Sequence, residues 1–105
     1  MAKVTLKRVF VSHPLYSEGT VADNMCNVDV ICRELLQEGV LPVSPLHLFG
    51  YMEGETTEQR AAVLNVCKDL IGLCDELYSY GSKGGCGLEI NWAKMHGVPI
   101  KYKGV

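Results

Sequence analysis

The sequence lacks the features that mark membrane, secreted and nucleic-acid-binding proteins. No apolar run approaches the ~18 residues that cross a bilayer, and the residues after Met1 have neither the length nor the small-residue exit of a signal peptide. No basic run is long enough to follow a phosphate backbone, and twelve acidic residues against ten basic ones leave a net charge of -2. We therefore expect a cytoplasmic protein that binds neither membranes nor duplex nucleic acid.

The cysteines and histidines lack the spacing of a disulfide framework or a metal site. The five cysteines are an odd number and contain no C-x-x-C pair, which favours reduced thiols in a core. The three histidines are isolated from one another and from the cysteines in sequence. Neither a bound metal nor another cofactor is expected.

The 105 residues are enough for one domain, residues 1–105, and the 48% hydrophobic content is typical of a folded chain. A domain of this size buries little surface for its length. Several apolar residues also fall in a segment with no obvious internal cover, namely Leu48, Phe49, Tyr51 and Met52. A homodimer or higher homo-oligomer is therefore expected.

Short β-branched or apolar runs alternate with segments of helical periodicity. The pattern predicts strands at residues 9–12, 40–43, 76–80 and 98–102. It predicts helices at residues 20–38, 56–73 and 88–96, with residues 46–55 as a loop. Thr56 and Gln59 form a capping-box pattern at the start of the second helix, and Pro42 favours an edge position for the second strand.

This alternation predicts a small doubly wound, flavodoxin-like α/β fold: a parallel sheet of about four strands with helices on both faces. In such folds ligands bind beyond the carboxyl ends of the strands, where the strand order reverses. With the order 2-1-3-4, residues 12–17 and 81–89 lie on the two sides of that point. The two most irregular loops are therefore expected to face one crevice.

The second of these loops is rich in glycine. Gly84, Gly85 and Gly87 precede a helix, where free amide groups can bind an anion, and Ser82 and Lys83 add a hydroxyl and a positive charge. The spacing matches neither G-x-x-x-x-G-K-[ST] nor G-x-G-x-x-G. A glycine-rich turn that serves only as a tight connection is the alternative.

Glu89 is predicted in the first turn of the third helix, at the rim of the crevice. The helix dipole favours an ionised carboxylate there, and such a carboxylate can attack or stabilise an anomeric carbon, as in retaining glycosidases. The alternative is a glutamate that only stabilises its own helix.

Residues 85–93 read GCGLEINWA, which resembles the G-x-G-[hydrophobic]-E-[hydrophobic]-G-x-A block of nucleoside 2-deoxyribosyltransferases and related deoxynucleoside monophosphate N-glycosidases. The resemblance extends in outline from about residue 8 to 102 and includes short bacterial and phage domains of the same type. It implies that Glu89 is the nucleophile, that neighbouring subunits help to complete the site, and that an aspartate near the second helix protonates the leaving base. Asp69 is the nearest candidate for that aspartate.

The resemblance also implies a nucleoside or nucleotide ligand. The residues predicted to surround it, besides the glycine loop, are Ser12, His13, Pro14, Tyr16, His47 and Tyr80. His13 could donate to a base or ribose, or serve as the acid in place of Asp69. The two tyrosines could stack on a base. The alternative for His13 and His47 is a solvated or structural histidine, and the alternative for the two tyrosines is ordinary packing.

Two functions remain open on this basis. The first is an enzyme that cleaves or transfers at the N-glycosidic bond. The second is a module that binds and sequesters a nucleotide-derived ligand without chemistry. The transferases have an acidic residue six positions before the nucleophile and the glycosidases a serine, whereas this chain has Lys83 there and Ser82 one step earlier. A lysine at that position favours phosphate binding.

Overall fold

A computed structural model of the protein describes residues 6–14, 19–48, 56–81 and 85–103. Strands and helices alternate along these segments, except that two helices follow each other between the second and third strands. The strands are β1 (Lys7–Ser12), β2 (Val40–Val43), β3 (Glu76–Ser79) and β4 (Ile100–Tyr102). The helices are α1 (Val21–Gln37), α2 (Pro45–Leu48), α3 (Thr57–Gly72) and α4 (Gly85–His96). None of these helices is both long enough and apolar enough to span a membrane.

The four strands form one parallel sheet in the order β2-β1-β3-β4. This is the order 2-1-3-4 on which the position of the predicted crevice depended. The β2 strand lies at an edge, as Pro42 indicated. Proline has no backbone N–H to donate to a neighbouring strand, so it is tolerated mainly in edge strands. The central strand β1 places Val9 opposite Pro42 of β2 and opposite Glu76 of β3.

Helices cover both faces of the sheet because side chains alternate along each strand. One face packs on α3 and α4 around four residues with no exposed surface: Phe10, Ile71, Leu77 and Ala93. The other face packs on α1 around a smaller cluster that includes Val9, Val11, Val28 and Tyr78. The predicted doubly wound α/β fold is confirmed.

The predicted loop at residues 46–55 was wrong at its beginning, because Pro45–Leu48 forms the short helix α2. Proline is well suited to a first helical position, and the Ser44 carbonyl accepts from the backbone N–H groups of His47 and Leu48 at 3.1 and 3.0 Å. One helical turn is too short to show a period in the sequence. Leu48 is exposed, but Phe49, Tyr51 and Met52 lie outside the described residues, so the homo-oligomer stays a prediction.

The predicted start of the third helix was also wrong. Helix α4 begins at Gly85 instead of Leu88, so Gly85 and Gly87 are helical and Glu89 lies in the second turn. Cys86 is buried to 2% exposure, and its packing anchors a first turn that glycine alone disfavours by about 1 kcal/mol per residue. Because the dipole effect falls off beyond the first turn, it does not account for the ionisation of Glu89.

The capping box at Thr56 is expected to stabilise the start of α3. The Thr56 hydroxyl accepts from the Gln59 N–H at 3.2 Å, and the Gln59 side chain accepts from the Thr56 N–H at 2.8 Å. Thr56→Ala should lower the free energy of unfolding by about 1 kcal/mol, measured by urea denaturation. Thr57→Ala is the matched control because Thr57 is the exposed first residue of the helix. Equal losses in both variants would show that the cap contributes nothing.

Candidate active site

Strands β1 and β3 end side by side with a serine each. Ser12 pairs with Ser79 in the parallel register, and the Tyr80 N–H donates to the Ser12 carbonyl at 2.8 Å. The two serines are buried, at 0% and 2% exposure. Since Ser12 follows Phe10 by two residues, strand alternation directs its side chain to the face of the sheet covered by α3 and α4.

On that face the Ser12 hydroxyl donates to Oε1 of Glu89 at 2.7 Å. This contact joins residues 77 positions apart in the chain and fixes the second turn of α4 to the end of β1. The Glu89 side chain is buried at 8% exposure. The carboxyl group therefore lies inside the protein at the carboxyl edge of the sheet and not on the outer surface of α4.

Burial sets the ionisation of this carboxyl group. Desolvation raises the pKa of Glu89 to about 7, while the Ser12 hydrogen bond and the positive charge of Arg60 oppose that increase. Arg60 belongs to the first turns of α3. The protonated and ionised forms of Glu89 are therefore both present near neutral pH, unlike those of an ordinary surface glutamate.

Cys67 is a neighbour of Glu89 that the sequence analysis did not identify. Its side chain is buried at 3% exposure on the inner face of α3. Burial and, to a smaller extent, the negative charge of Glu89 raise the pKa of the Cys67 thiol to about 12. The Cys67 thiol is therefore protonated and uncharged near Glu89 at neutral pH. Its place in the apolar period of α3 was its only signal in the sequence.

The first residues after β1 and β3 approach each other closely at this edge of the sheet. A Cβ atom placed on Gly81 would lie 3.1 Å from Cδ of Pro14 and 3.5 Å from Sγ of Cys86. The Ser79 hydroxyl donates to the Gly81 carbonyl at 2.6 Å and holds the turn in place. Glycine at this position thus allows the close approach of the two loops.

The remaining predicted residues of these loops divide into two groups. Gly87 is half-buried in the first turn of α4. Gly85 begins that helix. Tyr16, Ser82, Lys83 and Gly84 lie outside the described residues. Their predicted contacts with a ligand therefore stay predictions.

A hollow of about 380 Å³ lies on the other face of the same sheet edge. It is lined by His13, Asn27, Val30, Ile31 and Tyr80. His13 and Tyr80 follow Val11 and Tyr78 by two residues, so alternation places them on the α1 face, opposite to Glu89. Their rings lie 5.9 Å apart between centroids with an interplanar angle of 35°.

The structure does not bring Asp69 to Glu89. Asp69 is exposed near the end of α3, and that end leads into the amino end of β3, at the opposite edge of the sheet. Arg60 is the residue of α3 whose charge acts on Glu89. Asp69 lies nine positions after it, which corresponds to about 13 Å along a helix axis. The expectation of Asp69 as the acid thus has no geometric support.

His47 also lies away from both halves of the site. Its Nε2 is 2.5 Å from Oδ1 of Asp29, and its Nδ1 is 2.8 Å from Oγ of Ser44. Asp29 lies about 160° around α1 from Asn27, because successive helical residues are about 100° apart. His47 therefore fastens α2 to the flank of α1 that faces away from the hollow.

Comparison with protein families identifies the chain's family. A family model described as "Domain of unknown function (DUF7768)" matches residues 7–103. The chain therefore belongs to that family. A sequence search of curated proteins finds no match.

Comparison with solved structures shows a shared fold. The chain resembles a 2-deoxyribosyltransferase from the psychrotolerant bacterium Bacillus psychrosaccharolyticus, with a TM-score of 0.70 and 18% sequence identity. The likeness covers 90% of this chain and 70% of that enzyme. At this identity the comparison establishes the common α/β architecture.

Because the pKa of Glu89 is raised in the folded protein, the free energy of unfolding should depend on pH. An unfolded glutamate ionises near 4.5, whereas the folded protein holds the proton up to about pH 7, so the stabilisation of the protonated form is lost as pH rises through this range. Glu89→Gln does not titrate and still accepts from Ser12. Its stability advantage over the wild type should grow by about 3 kcal/mol from pH 4 to pH 8, measured by chemical denaturation.

Glu58→Gln is the control for this experiment, because Glu58 is exposed in the first turn of α3. It should show no comparable growth with pH. An advantage of Glu89→Gln that is the same at both pH values would contradict the assigned burial of a titrating carboxyl group.

Proposed function

We propose that the protein cleaves or transfers at the N-glycosidic bond of a nucleoside or nucleotide, with Glu89 as the nucleophile. The observation that carries the proposal is the buried Glu89 carboxyl group, held by Ser12 at 2.7 Å where two parallel strands end. Doubly wound folds bind ligands at this edge. The shared fold with a 2-deoxyribosyltransferase and the glutamate-containing sequence block support the same chemistry.

In the first step, a Glu89 oxygen attacks the anomeric carbon of the sugar. A carbon–oxygen bond forms as the carbon–nitrogen bond breaks, and the bonding electron pair leaves with the base. The carboxylate also stabilises the positive charge that develops on the sugar. In the second step, water or another base displaces Glu89 from the sugar and restores the free carboxylate.

The positions of Ser12 and Arg60 suit this role. Ser12 holds Oε1, which leaves the other carboxylate oxygen to attack. Both Ser12 and the positive charge of Arg60 favour the ionised, nucleophilic form against the cost of burial. Because the nucleophile must be ionised, turnover is expected to rise as pH increases through about 7.

The leaving base needs a proton or a hydrogen-bond donor, and Asp69 lies too far along α3 to supply it. Tyr80 lines the hollow beside the ends of β1 and β3. Burial raises the pKa of its hydroxyl to about 12, so Tyr80 keeps its proton at neutral pH. Tyr80 is therefore our candidate for the donor to a base bound in the hollow.

Base release tests the proposal directly. Deoxynucleosides and their monophosphates are incubated with the protein, and free base is measured by chromatography. The wild type and Glu58→Gln should release base, whereas Glu89→Gln should lose at least about 10³-fold in rate, because no nucleophile remains.

Circular dichroism would confirm that the Glu89→Gln variant is folded. Nucleotide-induced thermal stabilisation with no base released by the wild type would exclude the reaction and favour the binding module that sequesters its ligand. Equal rates for Glu89→Gln and wild type would exclude Glu89 as the nucleophile.

Ser12→Ala should move the rising limb of the pH–rate profile to higher pH. Without the hydroxyl, the Glu89 carboxylate loses the hydrogen bond that lowers its pKa. Ser79→Ala is the matched control, since Ser79 is a buried serine at the same edge that donates to the Gly81 carbonyl instead. The limb of this control should coincide with that of the wild type. Coincident limbs for both variants would show that Ser12 does not tune Glu89.

A further inference from the structure

The hydrogen bond of His13 determines which of its ring nitrogens can recognise a ligand. Nδ1 of His13 lies 2.7 Å from the carbonyl oxygen of Pro14. A carbonyl oxygen can only accept, so Nδ1 carries the hydrogen. In the neutral imidazole Nε2 is then an acceptor, and no group within the described segments bonds to it.

The rest of the hollow suits a flat ring. It is a shallow depression of about 380 Å³ that is open to solvent, so one side of a bound ring would stay exposed. Val30, Ile31 and the Tyr80 ring provide apolar surface for the faces of a heterocycle. His13 and Asn27 are the lining residues whose polar side chains can meet its edge.

The hollow and Glu89 share one backbone connection. Tyr80 belongs to the hollow, and its N–H donates to the carbonyl of Ser12, whose hydroxyl holds Glu89. The hollow and the carboxylate therefore lie at the ends of the same two strands, on opposite faces of the sheet.

We propose that the hollow binds the base and that Nε2 of His13 accepts a hydrogen bond from an exocyclic amino group. The preferred substrates are then nucleosides of adenine or cytosine, and their oxo counterparts hypoxanthine and uracil are disfavoured. An oxo group would place a second acceptor against Nε2 and leave both without a donor. The identity of the ligand as a nucleoside rests on the proposed function.

The test measures binding in Glu89→Gln, which removes turnover, by calorimetry at about pH 8. Deoxyadenosine should bind about tenfold or more tightly than deoxyinosine, and deoxycytidine similarly against deoxyuridine. Purine deoxyriboside, which has neither an amino nor an oxo group, should bind with intermediate affinity. Equal affinities within both pairs, or no binding of any of these nucleosides, would overturn the inference.

His13→Phe in the same Glu89→Gln background keeps an aromatic ring and removes the acceptor. The preference for amino-bearing bases should fall to within about twofold, with the affinity for purine deoxyriboside retained. His47→Gln, on the opposite flank of α1, should leave the preference intact. A preference that survives His13→Phe would overturn the assignment of His13.

The two proposals fail separately. If the wild type releases no base but the amino preference depends on His13, the reaction is excluded and the recognition stands. If the wild type releases base with equal efficiency from amino-bearing and oxo-bearing nucleosides, the recognition is excluded and the reaction stands.

Discussion

The hydrogen bond from Ser12 to Glu89 is the contact on which the candidate site depends. It joins the last residue of the central strand to the second turn of α4, with both side chains removed from water. An isolated buried carboxylate is costly, and a single hydroxyl donor offsets part of that cost. The result is a carboxyl group that changes its protonation near neutral pH and is therefore suited to chemistry in a way that a surface glutamate is not.

The sequence pattern was sufficient for most of the fold. The strand at residues 40–43, the parallel strand order and the capping box of α3 all agree with the structure, because each follows from a local rule. The start of α4 did not follow from such a rule. Glycine predicts a turn locally, whereas tertiary burial of Cys86 keeps Gly85 and Gly87 in a helix.

The site could be predicted less completely than the fold. The motif singled out Glu89, but no local pattern shows that Ser12 reaches it across 77 residues or that Cys67 lies near its charge. Asp69 was selected by its distance along the sequence, which does not reveal which end of α3 reaches the carboxyl edge. His13 was expected in the same crevice as Glu89, whereas it shares the parity of Val9 and Val11 and lines the hollow on the α1 face instead.

The burial of Cys67 affects how readily its thiol can be modified chemically. Thiols react with peroxides and alkylating agents as thiolates, and both burial and the adjacent Glu89 charge oppose thiolate formation at Cys67. The Cys67 thiol is thus expected to react more slowly with such reagents than an exposed thiol does. The same desolvation that brings the Glu89 carboxyl toward neutrality protects its neighbour from covalent damage.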